Sequence, residues 1–193
     1  MTPAEVLKRV ISTLNELAIP YMVAGSFAGS AYGLLRSTFD ADLIVDLRRQ
    51  HVSRFVAEFA RDFYVDAGQV EQAIARKGSF NLIHLGIFFK VDIFVLGDSA
   101  FAREEFSRRV LRPSGNTEIG EFSVATPEDV ILSKLGWYRD GGEVSEQQWR
   151  DVTAILKAQT RHLDLSYMRQ WAQELGVADL LARASEEAGV ADR

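Results

Sequence analysis

Strands mixed with helices over the first two thirds of the chain, then a run of helical pattern, predict an α+β fold with a helical C-terminal part. Three observations carry this. Short apolar runs with β-branched and aromatic residues stand at residues 21–24, 40–47, 80–85 and 88–96. Helical spacing separates them, as in Val6, Val10, Leu14 and Leu17. From Thr126 onward almost nothing but helical pattern remains.

In order, Thr2-Pro3-Ala4-Glu5 is a helix start, with a capping hydroxyl, proline at the first helical position and a glutamate closing a capping box. Pro20 ends that helix, and residues 21–24 read as a buried strand. Residues 27–35 read as a second helix. Gly25, Gly29 and Gly33 recur every four residues, which predicts a face lying close against a sheet. Residues 40–47 form a strand and 50–60 a helix, with a short strand near 64–65 and a helix near 70–75. Residues 80–85 and 88–96 read as a hairpin joined at Gly86. A helix to about Phe106 and short strands at 109–111 and 122–124 complete the first part. Thr126-Pro127-Glu128-Asp129 starts the second, with helices near 127–139, 145–159, 166–176 and 178–188. The expected division is a core over residues 1–125 and a helical subdomain over 126–193 packed on it.

Composition narrows the chemistry. The 193 residues are 47% hydrophobic and 25% charged, a globular mixture that excludes disordered and fibrous classes. Cysteine is absent, which removes disulfides, thiolate metal sites and cysteine nucleophiles and suits a reducing cytoplasm. Net charge is −5, which argues against a broad basic nucleic-acid surface, although Arg103, Arg108, Arg109 and Arg112 form a local basic strip. The first residues carry Glu5, Lys8 and Arg9 at helical spacing, so no signal peptide is expected there. The apolar stretch 80–96 is broken by His84, Lys90 and Asp92, so no membrane span is expected. His51, His84 and His162 show no metal-ligand spacing.

The informative pair is Asp40 and Asp42. On a strand, residues two apart share a face about 6.6 Å apart. Carboxylates so placed repel one another unless a cation lies between them. Asp92 interrupts the apolar strand 88–96, and a carboxylate there is costly unless paired or metal-bound. If the two strands are neighbours, three acids meet. Oxygen-only ligands suit a hard ion, Mg²⁺ or Mn²⁺. Gly25-Ser26 stands at a strand-to-helix turn, where free amides and a small residue attract phosphate. An isolated Asp-x-Asp is usually a solvated strand edge. Here it has a phosphate seat upstream and a third acid downstream, the apparatus of phosphoryl or nucleotidyl transfer.

Gly25-Ser26, then thirteen residues, then Asp40-Ala41-Asp42 and a later Asp92 resemble the signature of the nucleotidyltransferase superfamily. DNA polymerase beta, kanamycin nucleotidyltransferase and the small bacterial MNT proteins belong to that superfamily. Leu35-Arg36-Ser37-Thr38, residues 128–135 and Arg150-Asp151-Val152 are similar to the AbiEii-type toxin branch. Ala41 departs from the larger aliphatic common between the two acids.

The resemblance implies a mixed sheet flanked by helices and a metal-dependent transfer of a nucleoside monophosphate from an NTP such as ATP, releasing pyrophosphate. Asp40, Asp42 and Asp92 would bind Mg²⁺ or Mn²⁺, with Asp92 also a candidate base. Gly25, Ser26, Arg36 and Lys134 would meet the nucleotide phosphates. Asp151 would stand on the acceptor side or orient Lys134. Acceptors in that branch include a tRNA 3′ end, a partner protein and small molecules, and a cognate toxin or antitoxin partner is implied. The alternative is a catalytically silent nucleotide-binding or toxin–antitoxin interaction protein that keeps the fold.

Overall fold

The computed structural model describes residues 1–34, 40–113 and 120–190. Helix α1 (Pro3–Glu16) opens with the expected capping box. The Thr2 amide donates to Glu5 Oε2 at 2.6 Å, and the Glu5 amide donates to Thr2 Oγ1 at 3.2 Å. Strand β1 (Tyr21–Ala24) runs into the six-residue helix α2 (Gly25–Ser30), and β2 (Asp40–Val45) follows. A 3-10 turn leads into α3 (Val52–Phe59), then come β3 (Phe63–Tyr64), α4 (Ala67–Arg76) and the β4 (Ser79–His84) and β5 (Lys90–Val95) pair. Helix α5 (Ala100–Arg108), β6 (Val110–Pro113) and β7 (Glu121–Val124) precede four helices. These are α6 (Pro127–Asp140), α7 (Glu146–Gln159), α8 (Leu165–Glu174) and α9 (Ala178–Ala188).

Among the described residues the strands form one seven-stranded mixed sheet, in the order β3-β4-β5-β2-β1-β7-β6. β2 is central, antiparallel to β1 and parallel to β5. Period-two alternation decides its two faces. Ala41, Leu43 and Val45 on β2, with Val91, Ile93 and Val95 on β5, turn into the core. Helix α3 covers that face, and the Phe55 ring meets Phe80 of β4 edge-on at 5.8 Å. Asp40, Asp42 and Ile44 therefore point to the opposite face with Asp92 and Phe94. Helices α5 and α6 line that side of the sheet.

The C-terminal helices are built onto the sheet through buried contacts. Tyr32 Oη donates to the Ala125 carbonyl at 2.7 Å, and Gln159 Nε2 on α7 donates to the Tyr32 carbonyl at 3.3 Å. One hydrophobic core holds residues from both sides of position 126, from Val23 and Leu43 to Leu132 and Ile155. Near the start of α6, Arg108 pairs with Asp129 at 3.2 Å and Glu128 at 3.4 Å, and its guanidinium lies 3.7 Å from the centre of the Tyr167 ring. This ties α5, α6 and α8 together.

The glycine repeat behaves differently from its expected role. Helix α2 begins two residues earlier than predicted and ends at Ser30. Only Gly25 abuts the sheet. A Cβ on Gly29 would meet Leu34 Cδ1 at 2.3 Å, and one on Gly33 would meet Ala158 Cβ of α7 at 2.9 Å. The repeat therefore serves a sharp reversal of the chain as well as close approach to a strand. Among the described residues no helix is long and apolar enough to cross a membrane.

Candidate active site

Strand register brings the predicted acids together. Asp42 lies opposite Asp92 across the parallel β2–β5 pair, and Asp40 lies opposite Lys90. On its other side Asp42 lies opposite Ala24, the last residue of β1. The chain turns into α2 at the next residue, Gly25, whose φ is +58°. A Cβ there would stand 1.9 Å from Asp42 Oδ2, so the turn closes directly over the carboxylate. Two features justify glycine at this position, the left-handed backbone and the absence of room.

The electrostatics match that crowding. Burial, then the like charges of Asp40 and Asp92, push the Asp42 carboxyl up to about 6, and Lys134 and Lys90 oppose them only in part. Lys90 Nζ pairs with Asp92 Oδ2 at 2.7 Å and feels Asp40 and Asp42 as well, which raises its own pKa. An internal ammonium thus occupies the neighbourhood of the three acids. The donors fit a hard divalent ion in kind, since all three are carboxylates on one face and Asp42 is held in excess negative charge. Among the described residues, no group of three His, Cys, Asp or Glu is already drawn together at ligand spacing. Asp92 is turned toward Lys90 instead.

Lys134 and Asp151 form a second unit. Lys134 is 1% exposed on α6, and its Nζ donates to Asp151 Oδ2 at 2.9 Å and to Gln148 Oε1 at 3.0 Å. Gln147 Nε2 donates to Asp151 Oδ1 at 2.8 Å. Of the two roles expected for Asp151, the observed contact is the one that orients Lys134. Ser26 stands beside Gly25 in the first turn of α2. Arg36 lies outside the described residues.

Several other charged and aromatic side chains make structural contacts. Arg103 faces Asp98 at 3.4 Å and Arg108 is engaged by Asp129 and Glu128, so half of the expected basic strip is already neutralised by acids. Asp46 pairs with Arg48 at 2.7 Å on the surface. His84 accepts from the Gly86 and Ile87 amides through Nδ1, which fixes the β4–β5 turn. Tyr138 is core, against Trp149, whereas Trp137 is 40% exposed.

Two residues were missed from sequence. Lys90 shares the face of Asp92 by its spacing of two, but it reads as a mere interruption of an apolar run. Glu105 on α5 is 4% exposed, and it lines a cavity of about 290 Å³ that also touches Asp42. Its signal was the spacing of four from Phe101, which places it on the buried stripe of that helix.

No family model matches the chain, and no curated protein does. Solved structures do. A nucleotidyltransferase-like antigenic protein from Paracoccidioides brasiliensis matches at 17% identity and a TM-score of 0.54, over 95% of this chain and 92% of that one. The antibiotic-resistance factor ANT(2'')-Ia matches at 11% identity and a TM-score of 0.50, over 95% of this chain and 94% of the other. At such identities the likeness is one of fold, and it spans nearly the whole of each chain. The architecture expected from Gly25-Ser26, Asp40-x-Asp42 and Asp92 is the one observed: this chain has the nucleotidyltransferase fold.

Proposed function

We propose that the protein is a Mg²⁺- or Mn²⁺-dependent nucleotidyltransferase that moves a nucleoside monophosphate from an NTP to a hydroxyl acceptor. The observation that carries this is the register of Asp42 against Asp92, with Asp40 on the same face and Gly25 closed over Asp42. A cluster of like charges beside a tight strand-to-helix turn is costly to stability, and a bound divalent cation gives it a purpose.

Asp40, Asp42 and Asp92 would hold the divalent ion, which supplies charge neutralisation and Lewis acidity at the α-phosphate. Gly25 and Ser26 offer the triphosphate a close approach to backbone and hydroxyl. Lys134, held in one rotamer by Asp151 and Gln148, presents a fixed positive charge toward the acids. Asp92, released from Lys90, accepts the proton of the acceptor hydroxyl. The acceptor oxygen bonds to the α-phosphorus as the bridging P–O bond breaks, and that electron pair leaves on pyrophosphate.

The acceptor is a tRNA 3′ end, a partner protein or a small molecule, and a toxin–antitoxin setting with a cognate partner belongs to this same reading. The −5 net charge and the neutralised Arg103 and Arg108 favour the smaller acceptors. A cytoplasmic site accords with the lack of cysteine. The competing reading is a silent nucleotide-binding or interaction protein. Pyrophosphate release from NTP and Mg²⁺ in the presence of cell extract separates the two. We expect release by the wild type and its loss in Asp42→Ala; equal release by both proteins would refute the site.

A further inference from the structure

A second cavity, of about 610 Å³, opens at the far end of α6 from the acids. Its wall includes Thr126 and Glu128 at the start of that helix, whereas the α6 residues beside Asp42 run from Leu132 to Asp140. From Glu128 to Gly136 the helix rises about 12 Å, so the two places are separate.

Arg112 is the member of the basic strip whose charge is left over. Arg103 and Arg108 face acids, and Arg109 lies over the Phe106 ring at 4.3 Å. Among the described residues no carboxylate stands within ion-pair distance of Arg112; its guanidinium reaches the Tyr32 hydroxyl. Burial pushes that phenol up to about 12, only partly offset by the charge of Arg112, so the partner is neutral. Tyr32 is fixed in turn. Its Oη donates to the Ala125 carbonyl at 2.7 Å, and its own carbonyl accepts from Gln159 Nε2 at 3.3 Å. Arg112 is thus held at the cavity by a side chain that leaves its charge intact.

The carboxylate in the wall is already answered. Glu128 Oε2 lies 3.4 Å from Arg108, and its Oε1 accepts from the Asp164 amide at 3.0 Å. His162 lines the cavity with an exposed imidazole from the turn after α7, and Val110, Pro127 and Ala158 supply apolar wall. These groups discriminate among anions. The arginine fork takes two oxygens side by side, and an imidazole N–H takes a third. A carboxylate has only two to give, whereas a phosphate monoester has three terminal oxygens.

We propose that this cavity binds a small phosphate monoester, its phosphoryl group between Arg112 and His162 and its carbon frame against Val110, Pro127 and Ala158. The volume exceeds that of a bare phosphate ion and falls within the range of small-molecule sites. Such binding does not depend on nucleotidyl transfer.

The test is NMR titration of the full chain, free of divalent metal and nucleotide, read on the imidazole C–H signals. The chain has three histidines, His51, His84 and His162, and His162→Gln assigns the last. Ribose 5-phosphate should move the His162 signal alone and bind about tenfold more tightly than ribose, gluconate or inorganic phosphate. Arg112→Gln, at an exposed position, should weaken the ester about tenfold with an unchanged melting profile. Gluconate or ribose binding as tightly as the ester overturns the proposal. Inorganic phosphate binding as tightly also overturns it, because the site would then be an unselective anion contact. So does a shift confined to His51 or His84, no shift at all, or an unaltered affinity in Arg112→Gln. If Arg112→Gln does not fold, the wild-type ligand series and the three imidazole signals still decide.

Discussion

A single methyl group separates Gly25 from a collision with Asp42: a Cβ at residue 25 would lie 1.9 Å from the carboxylate oxygen Oδ2. The turn that begins α2 and the acid at the centre of the sheet are therefore one structural unit. Gly25→Ala adds a positive-φ penalty to this clash, with an expected loss on the order of 1–3 kcal/mol. Urea denaturation measures it. The surviving folded protein should also lose nucleotide transfer, because Asp42 must move aside.

Lys90 competes with any cation for Asp92, which it holds at 2.7 Å. Lys90→Met removes the competitor and leaves Asp92 without its ammonium. Affinity for Mn²⁺, read by electron paramagnetic resonance of the free ion, should rise about tenfold. Melting without metal should occur at lower temperature than in the wild type. Unchanged Mn²⁺ affinity would show that Lys90 is a bystander.

The Lys134–Asp151 pair is buried on both sides, at 2% and 3% side-chain exposure. Asp151→Ala abandons the ammonium in the core, and an expected loss of about 3–5 kcal/mol follows. The double change Lys134→Met, Asp151→Leu restores most of that stability because no charge stays behind. It should not restore transfer if the ammonium serves the phosphates. Denaturation and activity measured on both variants separate the structural role from the chemical one.

Glu105 makes stability depend on pH. Its folded value of about 8 lies above the unfolded value of 4.5, so the native state keeps a proton that the unfolded chain has lost. Stability therefore falls as pH rises from about 4.5 to 8 and levels above that, by a few kcal/mol in all. Ser133 and Asp129 are the groups that modulate it. Glu105→Gln should flatten this part of the profile, as seen by denaturation at pH 5, 7 and 9.

Much of the scaffold was legible because its local signals agree with its tertiary contacts. The Thr2–Glu5 box, the shared face of Asp40 and Asp42 on β2 and the Thr126-Pro127 start all read correctly, each a consequence of side chains within four residues. Asp40, Asp42 and Asp92 could be named, yet their meeting depended on β2 and β5 being parallel neighbours, a non-local fact. The glycine repeat misled because spacing records a shared face on an ideal helix, and α2 stops after Ser30. Lys90 and Glu105 stayed hidden for a related reason. A charged residue on a predicted element reads as solvated until the opposite wall of its pocket is known.

The central claim, that Asp40, Asp42 and Asp92 serve nucleotidyl transfer, is tested most directly by the fate of two labels. The protein is incubated with Mg²⁺, soluble cell extract and NTP labelled either at the α- or at the γ-phosphate. The account predicts that the α-label becomes bound to an acceptor and the γ-label appears in pyrophosphate, both abolished by Asp42→Asn. Transfer of the γ-label to an acceptor, release of free phosphate without pyrophosphate, or an unaffected Asp42→Asn protein would contradict it.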